Sequence, residues 1–345
     1  MHSSRAFPGA SEAARRLGVS IKALRLYEQR GLVAPERTAA GYRVYGPGAM
    51  ARAAEVVALR KLGLSLAQVA QALEGDPQSL GPALASHEAA LEAEVRELVS
   101  TLGKVRTQRA DLARGKAPGR SELAEVLNPY ARFSVGFELP WPWGGEWFEL
   151  AGIRPLNYII GPLGSGKTRL ALRLAEKLPG AVFLGLDRAD DTAAITSLLQ
   201  ADAALKQRVD QSLAWLADEG ATRSPALIAL LARLEAEEPA AFVVDMVEQG
   251  LDQATQEALI THLRQRARLG ARPLFLMTRS SAILDLAAMG PQECIILCPA
   301  NHSPPMRVAP YPGAAGYEAV MTCLATPEVR ARTAGMVATI PGMPA

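Results

Sequence analysis

The residues SEAARRLGVSIKALRLYEQRGLV, Ser11 to Val33, decide the fold of the N-terminal end. Ser11–Leu17 suits a short helix that Gly18 ends, because glycine takes the left-handed backbone of a helix C-cap without steric cost. Ser20 stands at the N-cap of a second helix, IKALRLYEQR over 21–30, which Gly31 stops. Two short helices across a tight turn make a helix-turn-helix pattern. Downstream, Pro35, the polar run ERTAAG (36–41) and the alternating YRVY (42–45) read as a small hairpin, a wing beside the helices. Pro47 then opens a third helix, and Ser65 with Gln68 forms a capping box for a fourth. The fold expected over residues 1–76 is an all-α winged helix-turn-helix.

Ser11–Val33, GYRVYG (41–46) and LRKLGLSLAQVAQAL (59–73) together resemble, in order and spacing, the DNA-binding module of the MerR family of transcription regulators over about residues 8–75. The resemblance implies that the helix beginning at Ser20 enters the major groove of double-stranded promoter DNA. Ser20, Lys22, Arg25 and Tyr27 would then reach bases or phosphates. Tyr42 and Arg43 of the wing would hold the flanking backbone, with Arg16 and Arg37 completing the contact set. Leu26 stands where the family often has a second aromatic. Regulators of this family distort promoter DNA, so RNA polymerase at the promoter is an implied partner.

The charge distribution agrees. Residues 1–80 hold 11 Lys and Arg against 6 Asp and Glu, whereas residues 121–345 hold 19 against 24, beneath a net charge of only +2. The basic end is the one expected to meet nucleic acid. With 345 residues, 49% of them hydrophobic, the chain can bury two cores. It has no apolar run of the roughly 18 residues a membrane span needs, and its first residues lack a secretion signal, so no membrane partner and a cytoplasmic location are expected.

From Leu84, the residues Leu84, Leu91, Leu98, Val105 and Leu112 recur every seventh position, with Val95 and Leu102 four places after Leu91 and Leu98. A seam kept over four heptads predicts a coiled-coil dimerisation helix over 77–114. MerR-like proteins pair through a long helix at this place, so the resemblance implies a homodimer reading two halves of a pseudo-palindrome. The alternative is an amphipathic helix packed on its own chain, since His87, Glu88 and Arg109 interrupt the second stripe. No Cys or His cluster follows the helix, which disfavours metal sensing. GKAPGRS (115–121) opens a linker over 115–127.

A second informative stretch is LNYIIGPLGSGKT, residues 156–168. An apolar strand leads into Gly161, Gly164, Ser165, Gly166, Lys167 and Thr168 at the Walker A spacing, and a helix, RLALRLAEKL (169–178), follows. Glycines let backbone N–H groups curl around a phosphate at a helix N-terminus. Lys167 neutralises the outer phosphates, and the Thr168 hydroxyl can ligate Mg²⁺. AAFVVD (240–245) places Asp245 at a strand's carboxyl end beside that metal, the Walker B pattern. The expected cofactors are ATP or a related nucleotide, and Mg²⁺.

GPLGSGKT, FVVDMVEQGLD (242–252) and FLMTRSS (275–281) together resemble ATPases of the ATP-binding-cassette (ABC) type over about residues 128–312. FSVGFELPWPWGGEWFEL (133–150) would be that fold's antiparallel subdomain. An α/β P-loop NTPase domain of this type is expected over 128–345. Three departures bear on activity. Met246 replaces the Glu that directly follows the Walker B Asp, leaving Glu248 as a displaced candidate for the catalytic base. Arg279 replaces the switch histidine and offers a γ-phosphate a cation without the proton-linked hydrogen bonding. Ser224–Pro225 stands where a Ser-Gly-Gly signature would precede the next helix.

Losing a catalytic acid or base typically costs about 10²- to 10⁴-fold in rate. The expectation is therefore a DNA-binding transcription regulator controlled by nucleotide binding, with weak or absent hydrolysis. An active ATPase or small-molecule kinase fused to a DNA-binding domain is a competing reading, with Asp245 on the metal and Glu248 as base. A P-loop module that docks a partner protein is another. Cys294 and Cys298, on one face of the strand-like ECIILC about 13 Å apart, are too far apart for a disulfide. With Cys323 they read as buried structural thiols, and the tail from Asn301 adds a closing strand and a helix without assignable chemistry.

Overall fold

The computed structural model describes residues 7–38, 40–76, 78, 80–116, 134–189, 192–268, 272–326 and 329. It divides into two compact units. The first gathers Met1–Arg132 with Gln211–Gly220 and Gln265–Ala271, and the second gathers Phe133–Asp210, Ala221–Arg264 and Arg272–Ala345.

In the first unit, helix α1 (Ala10–Leu17) ends at Gly18, whose φ of 67° is the left-handed C-cap. Helix α2 (Ile21–Gln29) starts at Ser20, whose hydroxyl accepts the Ala23 N–H. The antiparallel strands β1 (Glu36–Arg37) and β2 (Arg43–Val44) form the wing. Pro47 occupies the first turn of α3 (Pro47–Lys61), and a reciprocal Ser65–Gln68 capping box opens α4 (Leu66–Leu73). Leu24 and Tyr27 of α2 meet Val56, Val69 and Tyr45 in one core. Each such apolar side chain contributes about 1.5–3 kcal/mol on full burial. Helix α5 (Leu80–Ala113) is unbroken for 34 residues. Beyond Lys116 the expected linker lies outside the described residues.

In the second unit, β3 (Val135–Glu138) and β4 (Trp147–Leu150) form an antiparallel hairpin, as the aromatic stretch suggests. The main sheet contains β5 (Leu156–Ile160), β6 (Ala181–Leu184), β7 (Ala241–Val244), β8 (Leu274–Met277), β9 (Glu293–Leu297) and β10 (Met306–Val308), in the order β10-β9-β5-β8-β7-β6. All pairings are parallel except β10 with β9. The runs LNYII, AFVV and LFLM are buried throughout, as strands covered on both faces must be.

Helix α6 (Lys167–Lys177) follows β5 through the glycine loop. Its Leu170 and Leu174 pack with Ile159, Val243 and Phe275 against the sheet. Helices α7 (Thr192–Ala201), α8 (Ala203–Asp218), α9 (Pro225–Leu234), α10 (Gln253–Arg268) and α11 (Tyr317–Cys323) complete the described α-helices. This is a mixed α/β P-loop fold with β8 interposed between the P-loop strand and the Walker B strand. The carboxyl ends of its parallel strands share one edge, the place where such sheets bind ligands. Cys298 is buried, Cys294 and Cys323 are half-buried, and all three are free thiols. Among the described residues, no helix is long and apolar enough to cross a membrane.

Candidate functional site

The glycine loop is shaped by what surrounds it. A Cβ on Gly161 would lie 2.4 Å from the Cys298 carbonyl oxygen and 2.6 Å from Ser165 Oγ. Gly164 and Gly166 have φ of 79° and 86°, and a Cβ on Gly166 would meet the Trp143 ring at 2.6 Å. Only glycine suits these places. Trp143 is fixed in turn, its Nε1–H donating to the Ser303 carbonyl at 3.0 Å. Inside the loop, Lys167 Nζ donates to the carbonyls of Gly161 and Pro162 at 2.7 Å each. Burial, and then the nearby Arg279, hold the Lys167 pKa below the usual lysine value. The Ser165 hydroxyl is buried with no hydrogen-bond partner. A cationic loop that keeps a buried hydroxyl unmatched fits a phosphate, which supplies the missing acceptors and counter-charge. Thr168 is exposed in the first turn of α6.

Asp245 follows β7, two strand positions from the loop. Burial raises its pKa, opposed by Arg188 and Lys167. Arg188, from the short 3₁₀ turn Leu186–Ala189 after β6, donates to the carbonyls of Gly185, Asp245 and Met246 at 2.8, 2.6 and 2.7 Å. Met246 itself has φ of 43°, a left-handed conformation unusual for a residue with a long side chain. This turn brings the chain back so that the Val247 N–H donates to the Met277 carbonyl. Glu248, 3% exposed, then accepts the backbone N–H of Arg279 at 2.9 Å through Oε1. The candidate base is thus engaged as a strut between the Walker B turn and the switch position.

The switch position is held from its other side as well. The Ala325 N–H donates to the Arg279 carbonyl at 2.9 Å, and the Ser281 N–H to the Ala325 carbonyl at 3.0 Å. The tail after α11 therefore pairs with residues 279–281, just beyond β8. Ser224 caps α9 by accepting the Leu227 N–H, with Pro225 in the first turn. The structure brings Gly161, Gly164, Ser165, Gly166, Lys167, Asp245, Glu248 and Arg279 to the carboxyl edge of the sheet.

In the first unit, Lys22 and Arg25 are exposed on α2, and Tyr42 projects from the wing at 74% exposure. Arg37 is exposed and donates to the Gly41 carbonyl at 3.4 Å. Arg43 pairs with Glu28 at 2.7 Å, and the Tyr45 hydroxyl donates to the same carboxylate, so Glu28 ties the wing to α2. Arg16 pairs with Glu12 at 2.7 Å. Ser20 spends its hydroxyl on the cap of α2. Tyr27 is corrected: only 6% exposed, it packs in the core with its phenol toward Arg60, which leaves it little surface for DNA. Its position three residues after Leu24 on one helix face is the signal that could have shown this.

Arg188 was missed because its partners are main-chain carbonyls, which leave no mark on residue type. Its place just past a parallel strand's carboxyl end is the available clue.

Residues 10–76 match the MerR HTH family regulatory protein pattern. Nodulation protein NolA of Bradyrhizobium diazoefficiens is 34% identical over 122 residues, covering 35% of this chain and 50% of that protein. A "Probable heavy metal-dependent transcriptional regulator" of Haemophilus influenzae is 35% identical over 102 residues, covering 28% of this chain and 80% of that protein. Among solved structures, the ADP conformation of an ATP-binding cassette of an ABC transporter is 14% identical, covers 59% of this chain and 98% of that one, and has a TM-score of 0.35. The chain spans half or less of the length of the nodulation proteins it matches. Residues 10–76 carry the family pattern, and the chain covers four-fifths of the Haemophilus regulator at 35% identity; on that ground it belongs to the MerR family of helix-turn-helix regulatory proteins.

Proposed function

We propose that the chain is a homodimeric, promoter-binding regulator whose second unit binds ATP or a related nucleotide with Mg²⁺ and signals by binding rather than by turnover. The observation that carries the nucleotide reading is the buried, unpartnered Ser165 hydroxyl inside a loop that three glycines shape and Lys167 fills. The phosphates would take Lys167 and the loop N–H groups, while Thr168 and Asp245 would hold the metal, which neutralises phosphate charge. Arg279 would add a cation at the γ-phosphate. Met246 and the engagement of Glu248 with the Arg279 amide favour retention over hydrolysis.

Family membership supports DNA as the ligand of α2 and the wing, through Arg16, Ser20, Lys22, Arg25, Arg37, Tyr42 and Arg43, with RNA polymerase as the neighbour at the promoter. The exposed apolar stripe of α5 supports the dimer.

Titrating DNA binding and transcription with ATP, ADP and a non-hydrolysable analogue tests the whole reading. ATP and the analogue should shift the output alike, and Lys167→Ala should abolish both the shift and nucleotide binding. An unchanged nucleotide response in Lys167→Ala would sink it.

A further inference from the structure

The first unit contains more than the winged helix, and the added residues converge on the turn between α3 and α4. Glu219, whose side chain is 3% exposed, takes Arg60 of α3 bidentately at 2.6 and 3.0 Å and also accepts the backbone N–H of Leu66 at 2.7 Å. Its neighbour Asp218 accepts the Ser65 hydroxyl at 2.8 Å. The Gly63 carbonyl receives both the Trp215 indole N–H at 3.2 Å and the Gln265 side-chain amide at 2.6 Å. Arg60 lies over the Trp215 ring, 5.5 Å from its centroid. Every one of these partners lies outside residues 10–76, the family-matched segment.

Arg60 is the pivot. One edge of its guanidinium meets Glu219, and the buried Tyr27 phenol of α2 faces it from within the core. Arg30, at the end of α2, approaches Gly220 so closely that a Cβ there would come within 2.7 Å of its Nη2. Helix α2 is thus propped from behind, at Tyr27 through Arg60, which a carboxylate 159 residues away holds, and at Arg30 by the Gly220 backbone. A buried carboxylate with a bidentate guanidinium fixes angle as well as distance, because the two planar groups share one orientation.

We propose that Glu219 is a positioning residue of the DNA reader: through Arg60 it sets the orientation of α2 and the wing, so the reading unit is a composite of the winged helix and the Gln211–Gly220 segment. Orientation governs base-edge contacts, which demand exact placement, more than phosphate contacts, which long Lys and Arg side chains can keep by adjusting.

The test uses the full chain, a duplex selected from a random-sequence pool by the wild-type protein, and an unrelated duplex of equal length. Glu219→Gln keeps the shape and an acceptor for the Leu66 N–H but removes the charge. It should weaken binding to the selected duplex about three- to tenfold, while affinity for the unrelated duplex and the salt slope of both stay at wild-type values. Trp215→Phe, which keeps the ring over Arg60 but removes the donor to Gly63, should give a smaller loss of the same selective kind. It also serves should Glu219→Gln lose helicity by circular dichroism. The proposal is overturned if the folded variants bind both duplexes as wild type does, or weaken on both by one common factor.

Discussion

At the scale of single residues, two side chains carry consequences that can be measured. Arg188 donates to three carbonyls around the left-handed Met246 turn, and hydrogen bonds from a charged group are each worth about 1.5–3 kcal/mol. Arg188→Ala should therefore cost about 2 kcal/mol in urea unfolding of the second unit. Arg188→Lys should recover little of it, because an ammonium cannot reproduce the planar fork. Lys167 gives a pH prediction. Burial, with Arg279 second, lowers its pKa, so its ammonium loses the proton at a lower pH than an ordinary lysine of about 10.4. In the proposed nucleotide site, affinity would depend on that charge. It should be at its full value near neutral pH and begin to fall as pH rises through the lowered value of the free loop, earlier than for an ordinary lysine, as fluorescent-nucleotide titrations across the alkaline range would record. A decline that begins only at or above the ordinary lysine value would contradict the assignment.

At the scale of elements, α5 presents Leu84, Leu91, Val95, Leu98, Leu102 and Leu112 at 47–59% exposure along one unbroken helix. A stripe of that length left in water is costly for a single chain and suits a second copy. Replacing Leu91 and Leu98 together by Glu should turn a dimer into a monomer by light scattering and weaken DNA binding with it; a variant that stays dimeric would point to pairing elsewhere. The same helix shows what a sequence can express. Heptads, the Ser20 and Ser65 caps, the Gly18 stop and the Walker A loop all act within a few residues, so their spacing writes the element directly. Contacts between distant segments do not. Nothing in residue type announces that Glu219 answers Arg60, or that Glu248 takes the Arg279 amide, because those pairings are set by how strands and helices come together. Tyr27 failed for another reason: the family pattern drew attention to its polar hydroxyl, while its ring follows the inward face set by Leu24.

For the whole molecule, the composite first unit means that the winged helix should not be self-sufficient. Residues 1–116 excised alone lack Glu219, Asp218, Trp215 and Gln265, and with them the hydrogen bonds at Gly63, Ser65 and Leu66. Their unfolding free energy should be about 2 kcal/mol lower than that of the first unit in the intact chain, read as an earlier urea midpoint; equal midpoints would contradict the composite. The second unit carries a different consequence at its margins. Among the described residues, its sheet ends in β6 on one side, four residues bounded by Gly180 and Gly185, and in β10 on the other, three residues running against the direction of the rest and carrying Arg307. Open edges invite strands from neighbouring molecules, and short, charged or glycine-bounded ones offer little to bind. Edges so trimmed offer a neighbouring molecule little strand to extend.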